Sequence, residues 1–220
     1  MTRMRPKHLA IALSKLQPHP CSDVSLEQYA TEGDLASYWM LAVDELDDVQ
    51  GKSVVDLGAG NGILGLACLM LGAAHVRFIE CDPNALTALE ANLDGLAPSL
   101  QDKTAILPLR IGVDEIDLSD ADLVVSNPPW GVQTARADRP FLDLAFSSGA
   151  DAVHLLHSMH AKHLTAVAKD QGWESEAVFR TEFRLPPIYA HHSQRKGATE
   201  VQCWRFHRPG DAKVPVADEE

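Results

Sequence analysis

The sequence predicts an α/β protein: a seven-stranded, mostly parallel sheet with one antiparallel strand and helices on both faces. Three observations predict it. From residue 51 onward, short apolar runs rich in β-branched residues alternate with helix-like segments, as expected of parallel strands joined by crossover helices. A glycine-rich turn falls where the first strand should pass into the first helix. The composition is that of an ordinary globular chain, with 45% hydrophobic and 23% charged residues over 220 positions, enough for one domain with a substantial core.

The elements follow in order. Residues 52–57 form the first strand, and 63–71 a buried helix stopped by Gly72. Residues 75–79 are the second strand. Asp82 and Pro83 then open a helix as N-cap and first-turn proline, and Leu86, Leu89 and Leu93 follow at helical spacing. Residues 104–107, with Pro108 after them, read as an edge strand. Further strands are expected at 121–126, 152–156, 176–183 and 200–206, with a helix over 159–171 ended by Gly172. The last two strands are the candidates for an antiparallel pair. Residues 1–50 read as a basic arm and helical lead-in, 51–208 as the main domain, and 209–220 as a disordered acidic tail.

Composition also excludes classes. The longest apolar run, 63–74, is far short of the about 20 residues that span a bilayer, and the N-terminus lacks the apolar stretch of a signal peptide. Four scattered cysteines with no Cys-x-x-Cys pair argue against a disulfide framework or a cysteine-built zinc site, and for a reducing cytoplasm. The formal net charge is −12, but it is unevenly placed. Residues 1–20 and 180–208 each carry a net +4, whereas 21–179 carry −17. Two basic segments on an acidic body mark a candidate nucleic-acid face. The excess of aspartate over lysine also fits a salt-rich cytoplasm, where salt screens self-repulsion.

Two motifs carry the chemistry. In the first, Asp56-Leu57-Gly58-Ala59-Gly60-Asn61-Gly62-Ile63, glycine permits positive φ and a close approach of backbone to ligand. Its Gly-x-Gly-x-Gly spacing differs from the dinucleotide fingerprint, and it starts with an acid. Such a turn suits S-adenosylmethionine, which has no pyrophosphate to neutralise: Asp56 can approach the cofactor's amino end, and Glu80, ending the second strand, can accept both ribose hydroxyls. Gly58, Gly60, Asp56 and Glu80 are therefore cofactor candidates. The second motif, Asn127-Pro128-Pro129-Trp130, follows the fourth strand, at the sheet end where ligands bind. An exocyclic amine is a poor nucleophile because its lone pair is delocalised into the ring. Two acceptors on its hydrogens, the Asn127 side-chain oxygen and the Pro128 carbonyl, relocalise that pair. The two prolines stiffen the turn, and Trp130 offers a stacking face for an unstacked base.

Together these motifs resemble the Rossmann-like class I methyltransferases. Leu26-Glu27-Gln28-Tyr29-Ala30-Thr31, the Asn-Pro-Pro-Trp-Gly run followed by Asp138 and Phe141-Leu142, then Leu156-His157-Ser158, Leu185-Pro186 with Tyr189, Glu200-Val201 and Arg205-Phe206 resemble the methyltransferase-like protein 5 family from about residue 24 to 208. The resemblance implies methylation of N6 of an adenosine in small-subunit ribosomal RNA. It also implies a heterodimer with a small zinc-binding activator subunit paired to a sheet edge, for which Ala105-Ile106-Leu107 is the candidate. Carried over by position, the cofactor contacts are Gln28, Thr31, Gly58, Asn61, Ile63 and Glu80, and the catalytic loop is Asn127, Pro128, Pro129 and Trp130. The sequence departs from the family in having Trp130 where phenylalanine is common and Ala30 where proline is. The position after the third strand, where an acid often meets the cofactor's adenine, reads Leu109-Arg110-Ile111. No metal site is expected. His154, His157, His160 and His163 recur every third residue, and without an obvious carboxylate partner they read as a partly exposed, RNA-adjacent segment.

Two other functions use parts of the same pattern: glutamine methylation of a release factor, and a low-turnover RNA-binding assembly factor. The basic segments favour RNA. Tyr189, His191, His192, Arg195 and Lys196 put an aromatic ring and cations in one loop, suited to backbone and base contacts. Charge reversal at Arg195 and Lys196 is expected to weaken RNA binding and flatten its dependence on salt. A salt titration unchanged by the double variant would remove this loop from the interface.

Overall fold

The computed structural model describes residues 4–21, 23, 26–131, 134–184 and 198–215; the loop with Tyr189, Arg195 and Lys196 lies outside them. Two helices, α1 (Pro6–Leu13) and α2 (Gly33–Asp47), precede the sheet domain. There follow β1 (Ser53–Leu57), α3 (Ile63–Leu71), β2 (His75–Ile79), α4 (Pro83–Asp94), α5 (Pro98–Gln101), β3 (Thr104–Leu107) and β4 (Leu123–Ser126). The chain continues through α6 (Arg139–Phe146), β5 (Ala152–Ser158), α7 (His163–Asp170), β6 (Glu174–Arg184) and β7 (Ala198–His207).

The seven strands form one sheet in the order β3-β2-β1-β4-β5-β7-β6. Pairings are parallel from β3 through β5, and β7 runs antiparallel to both β5 and β6. The expected architecture, one reversed strand in a parallel sheet, is thus observed. Burial explains why the strands read as continuous apolar runs: successive residues point to opposite faces and both faces are covered. Val54, Val76, Phe78, Leu123 and Val125 pack with α1, α2, α3 and α4. Val55, Leu57, Ile79, Val124 and Val153 pack with α6 and α7.

The punctuation works as read. Asp82 caps α4 by accepting from the Asn84 N–H at 2.9 Å, ahead of Pro83. Gly72 ends α3 at φ 110°, a conformation that suits glycine. The fourth strand starts at Leu123 rather than 121, and β5 runs on through Ser158. The helix expected over 159–171 forms only from His163, because 159–162 make a turn. Helices α5 and α6 go unread in the sequence; Pro98 and Pro140 stand at their first turns.

Far from the strand ends, Arg205 on β7 is fully buried and joins four elements. It donates to both Asp47 oxygens at 2.8 Å, to Glu176 at 2.8 Å, and to the Asp211 carboxylate and carbonyl. His154 and Lys213 bond the same Asp47 at 2.7 and 2.9 Å, and Lys213 and Val214 donate their backbone N–H to Glu176. The expectation of a disordered tail is therefore corrected over 211–214: these residues complete the shell of a buried guanidinium, which must have its donors satisfied. Burial works to raise the pKa of Asp47, but the bonds from His154 and Arg205 outweigh it and hold Asp47 well below the carboxylate range. A depressed pKa gives stability that is present above the unfolded value of 3.8 and is lost as pH falls through and below it. Asp47→Ala is expected to lose about 3–5 kcal/mol and to show a shallower acid-side decline in chemical denaturation at pH 3–5 than the parent. An equal acid slope in both would sever Asp47 from the pH response.

Candidate active site

The site is a cavity of about 340 Å³ at the carboxyl ends of β1, β2 and β4, where a parallel sheet presents ligands. It brings together Gln28, Thr31, Asp56, Gly58, Gly60, Asn61, Ile63, Glu80, Asn127 and Pro129. These are ten of the residues singled out from the sequence. Pro128 and Trp130 stand outside its lining.

The glycine turn has the backbone it was expected to have: Gly58, Gly60 and Gly62 lie at φ 68°, 57° and 83°. Packing also demands glycine. A Cβ on Gly60 would come within 2.4 Å of the His19 ring, and one on Gly62 within 2.4 Å of a Leu89 methyl. Glu80 ties this turn to β2. One carboxylate oxygen accepts from the Gly60 N–H at 2.8 Å, and the other accepts from Cys81 and Asp82 N–H at 2.8 and 2.9 Å.

Asp56 is almost fully buried beneath the turn and accepts from the Gly65 N–H at 2.8 Å. Burial, with the Glu80 charge adding to it, pushes its pKa up to about 7. Among the described residues no cation pairs with it. A cavity holding a buried carboxylate without a counter-cation fits a ligand with positive charge, and S-adenosylmethionine brings both a sulfonium and an ammonium.

An N-terminal segment frames the cavity. The Gln17 backbone is held by Asn92 and by the Asn61 amide. The Gln28 amide donates to Asp82 at 2.5 Å, so Asp82 both caps α4 and anchors this segment. Thr31 accepts from the Asn127 amide at 3.2 Å. His19 also reaches the lining, and burial lowers its pKa against the pull of Glu80 and Asp82. After β3, where the sequence reads Leu109-Arg110-Ile111 without an acid, Arg110 and Ile111 line the cavity. Asp114 instead accepts from the Arg110 backbone N–H at 2.6 Å.

Asn127 extends from the end of β4. Its amide nitrogen donates to Thr31 and, at 3.5 Å, to the Tyr29 carbonyl. Its oxygen accepts from the Trp130 indole N–H at 3.2 Å. Trp130 is not an open platform: it stacks on Tyr29 with ring centroids 4.9 Å apart and has His157 at 6.1 Å.

The histidine series is corrected. His154 and His157 are buried on β5, and both have carboxylate partners: Asp47 for the first, Asp138 at 3.3 Å for the second. His163, half exposed, also meets Asp138, and only His160 is exposed without such a partner among the described residues. Asp138, His157 and His163 lie close enough to share a metal ion. The Ser158 N–H donates to His157 Nδ1, however, so a neutral ring carries its proton on Nε2, the nitrogen 3.3 Å from Asp138, which then has no lone pair for a metal. The sequence reading gave no site role to Tyr29, His19, Arg110 or Phe141, which also line the cavity. Tyr29 stands between Gln28 and Thr31, where neighbouring assignments were a signal. His19 carries none.

This fold, with a glycine turn and an Asn-Pro-Pro-Trp loop on one cavity, defines a Rossmann-like class I methyltransferase. The chain belongs to the methyltransferase small domain family, whose model matches residues 30–169. It is 30% identical over 216 residues to a protein of Methanocaldococcus jannaschii, covering 94% of this chain and 96% of that one. It is 28% identical to the rRNA N(6)-adenosine-methyltransferase METTL5 of Danio rerio, covering 92% and 99%. A crystal structure from Pyrococcus horikoshii, assigned as an RNA methyltransferase, superposes with a TM-score of 0.80 at 32% identity over 93% of this chain and 98% of that one.

The raised pKa of Asp56 has a stability consequence of opposite sign to that of Asp47. Its stabilisation is fully present below the unfolded value of 3.8 and is lost as pH rises through about 7, by about 4 kcal/mol in all. Without ligand, the parent is expected to lose thermal stability between pH 5 and pH 8, and Asp56→Asn to lose much less. Parallel melting curves across that range would show that Asp56 is already ionised at pH 5.

Proposed function

We propose that this chain is an S-adenosylmethionine-dependent methyltransferase that methylates N6 of an adenosine in small-subunit ribosomal RNA, in the cytoplasm and together with a small zinc-binding activator subunit. The observation that carries the reading is Asn127: an amide anchored through its nitrogen, with its oxygen at the end of β4 beside an acidic cavity. The full-length relatives named for rRNA adenosine methylation support the choice of substrate, as do the two basic segments of the sequence, apart from Arg205, which is buried and paired with carboxylates. The acidic body makes nucleic-acid contact outside those segments unfavourable.

When bound, the cofactor supplies an electrophilic methyl on sulfur. The chain's own residues do the rest. The turn from Gly58 to Gly62 lets the backbone approach the cofactor. Asp56 neutralises positive charge beneath it. Asn127 Oδ1 and the Pro128 carbonyl accept the two hydrogens of the amine, which turns the nitrogen lone pair toward the donor. Fixed acceptors of this kind act without reorganising during the reaction. Neither acceptor is a base, so the proton of the methylated nitrogen leaves to water.

The activator reading rests on β3. This strand forms one edge of the sheet, pairs among the described residues only with β2, and its residues are half-buried throughout. An unpaired apolar edge is a hazard in isolation and a ready template for a partner strand. Four free cysteines fit the reducing compartment, and among the described residues no helix is long and apolar enough to cross a membrane.

The test is methyl transfer from labelled cofactor to purified small ribosomal subunits, with and without candidate activator, followed by nucleoside analysis. N6-methyladenosine is the expected product. Asn127→Ala is expected to lower turnover by at least about 10²-fold while cofactor affinity stays within about threefold. Label in protein rather than nucleoside would move the substrate to a glutamine side chain, and undiminished turnover in Asn127→Ala would remove the acceptor role.

A further inference from the structure

The parts of the catalytic loop proposed to meet a substrate are in use by the protein itself. The Trp130 ring, the stacking face, is 9% exposed and covered by the 8%-exposed Tyr29 ring, at 4.9 Å between centroids and 27° between planes. That is the offset-stacked geometry of a favourable aromatic pair. Asn127 Oδ1, the acceptor for an amine hydrogen, accepts from the Trp130 indole N–H at 3.2 Å. A planar base with an exocyclic amine needs both: a ring face and an oxygen for its N–H.

We propose that Tyr29 and the Trp130 N–H are stand-ins for the substrate base, which enters by displacing Tyr29 from the Trp130 face and replacing the indole N–H on Asn127 Oδ1. This rests on the reading that the loop receives an adenine. It adds a residue, Tyr29, that sets how tightly that adenine is taken up.

Of the two rings near Trp130, Tyr29 is the one that lies outside the sheet. His157 is held within β5, opposite Gln202 on β7, and its Nε2 faces Asp138. Tyr29 lies on an irregular stretch, two residues after Glu27 at φ 50°, a left-handed conformation that non-glycine residues rarely adopt and that stores strain. Glu27 also accepts from the Thr134 N–H at 2.8 Å, so the segment carrying Tyr29 is tied to the chain that follows Trp130. The same short segment carries Gln28 and Thr31 at the cofactor cavity. A ligand there acts on the stretch that covers Trp130. Covering has a use: with no base present, water is kept from the acceptor and from the methyl donor beside it.

Removing the covering ring should make uptake of the base easier. Tyr29→Ala is expected to lower KM for the RNA roughly three- to tenfold, the range of one aromatic pair, with kcat changed much less. In the free protein the variant should raise acrylamide quenching of tryptophan fluorescence. That rise should vanish when Trp130→Phe is added, and Tyr29→Phe should restore the parent's protection. Tyr29→Leu, which keeps apolar bulk but no ring, repeats the measurement should the alanine variant not fold. A KM that rises or stays level with Tyr29→Ala or Tyr29→Leu would overturn the proposal, making Tyr29 a wall of the bound-base pocket or a bystander. Unchanged quenching would overturn it as well. The two readings fail separately: if the parent methylates no RNA, the substrate assignment falls, while the quenching experiment, which needs no substrate, still reads whether Tyr29 covers Trp130.

Discussion

Two carboxylates at the ends of adjacent strands, Asp56 on β1 and Glu80 just past β2, define what the cavity can hold, and neither is neutralised by a cation among the described residues. Backbone N–H groups hold them in place instead: Gly65 for Asp56, and Gly60, Cys81 and Asp82 for Glu80. Glu80 accepts three such bonds. Asp56 accepts one, lies deeper, and has its pKa pushed to about 7. The difference matters chemically. Glu80 organises the turn whether or not a ligand is present, whereas the charge of Asp56 is balanced best when a cation arrives. The parallel sheet is what brings the two within reach, because the β1–β2 register sets Leu57 beside Ile79.

The catalytic loop depends on the same frame from the other side of β1. The short β4 pairs with both β1 and β5, and the Ser126 hydroxyl donates to the Leu57 carbonyl at 2.6 Å. The residue before Asn127 is thereby fixed to the residue before Gly58. Loop and turn cannot drift apart without breaking a buried bond, and a shift of even an ångström would matter for a reaction that needs donor and acceptor in line.

Local signals were legible in the sequence wherever the cause is local. Glycines at positive φ, the Asp82–Pro83 cap and the bounds of α3, β2 and β3 follow from neighbours in the chain, and so do both motifs. What escaped depends on partners distant in sequence. His154 reads as exposed until Asp47, 107 positions away, is brought beside it. Arg205 looks like part of a basic face, yet it is buried by Asp47, Glu176 and Asp211. The same distance hid the state of Trp130: its identity suggests a platform, but only the folded N-terminal segment reveals that Tyr29 covers it. Residues 211–214 were misread because their composition is that of a solvated tail, while the buried guanidinium that recruits them lies on another element.

The N-terminal segment is where these strands of argument meet. Asn61 and Asn92 hold its start, Asp82 holds Gln28, and Asn127 holds Thr31 and Tyr29. Its polar bonds therefore reach the glycine turn, the cap of α4 and the Asn127 amide in one pass. A ligand that alters any one of these anchors changes the balance at the others, since they share a short length of backbone. In thermodynamic terms two ligands that engage these anchors share a coupling free energy that is the same whichever comes first. The segment lies outside the sheet that builds the cavity, yet it joins its two halves: the acidic end that favours a cation and the amide end proposed to accept from an amine.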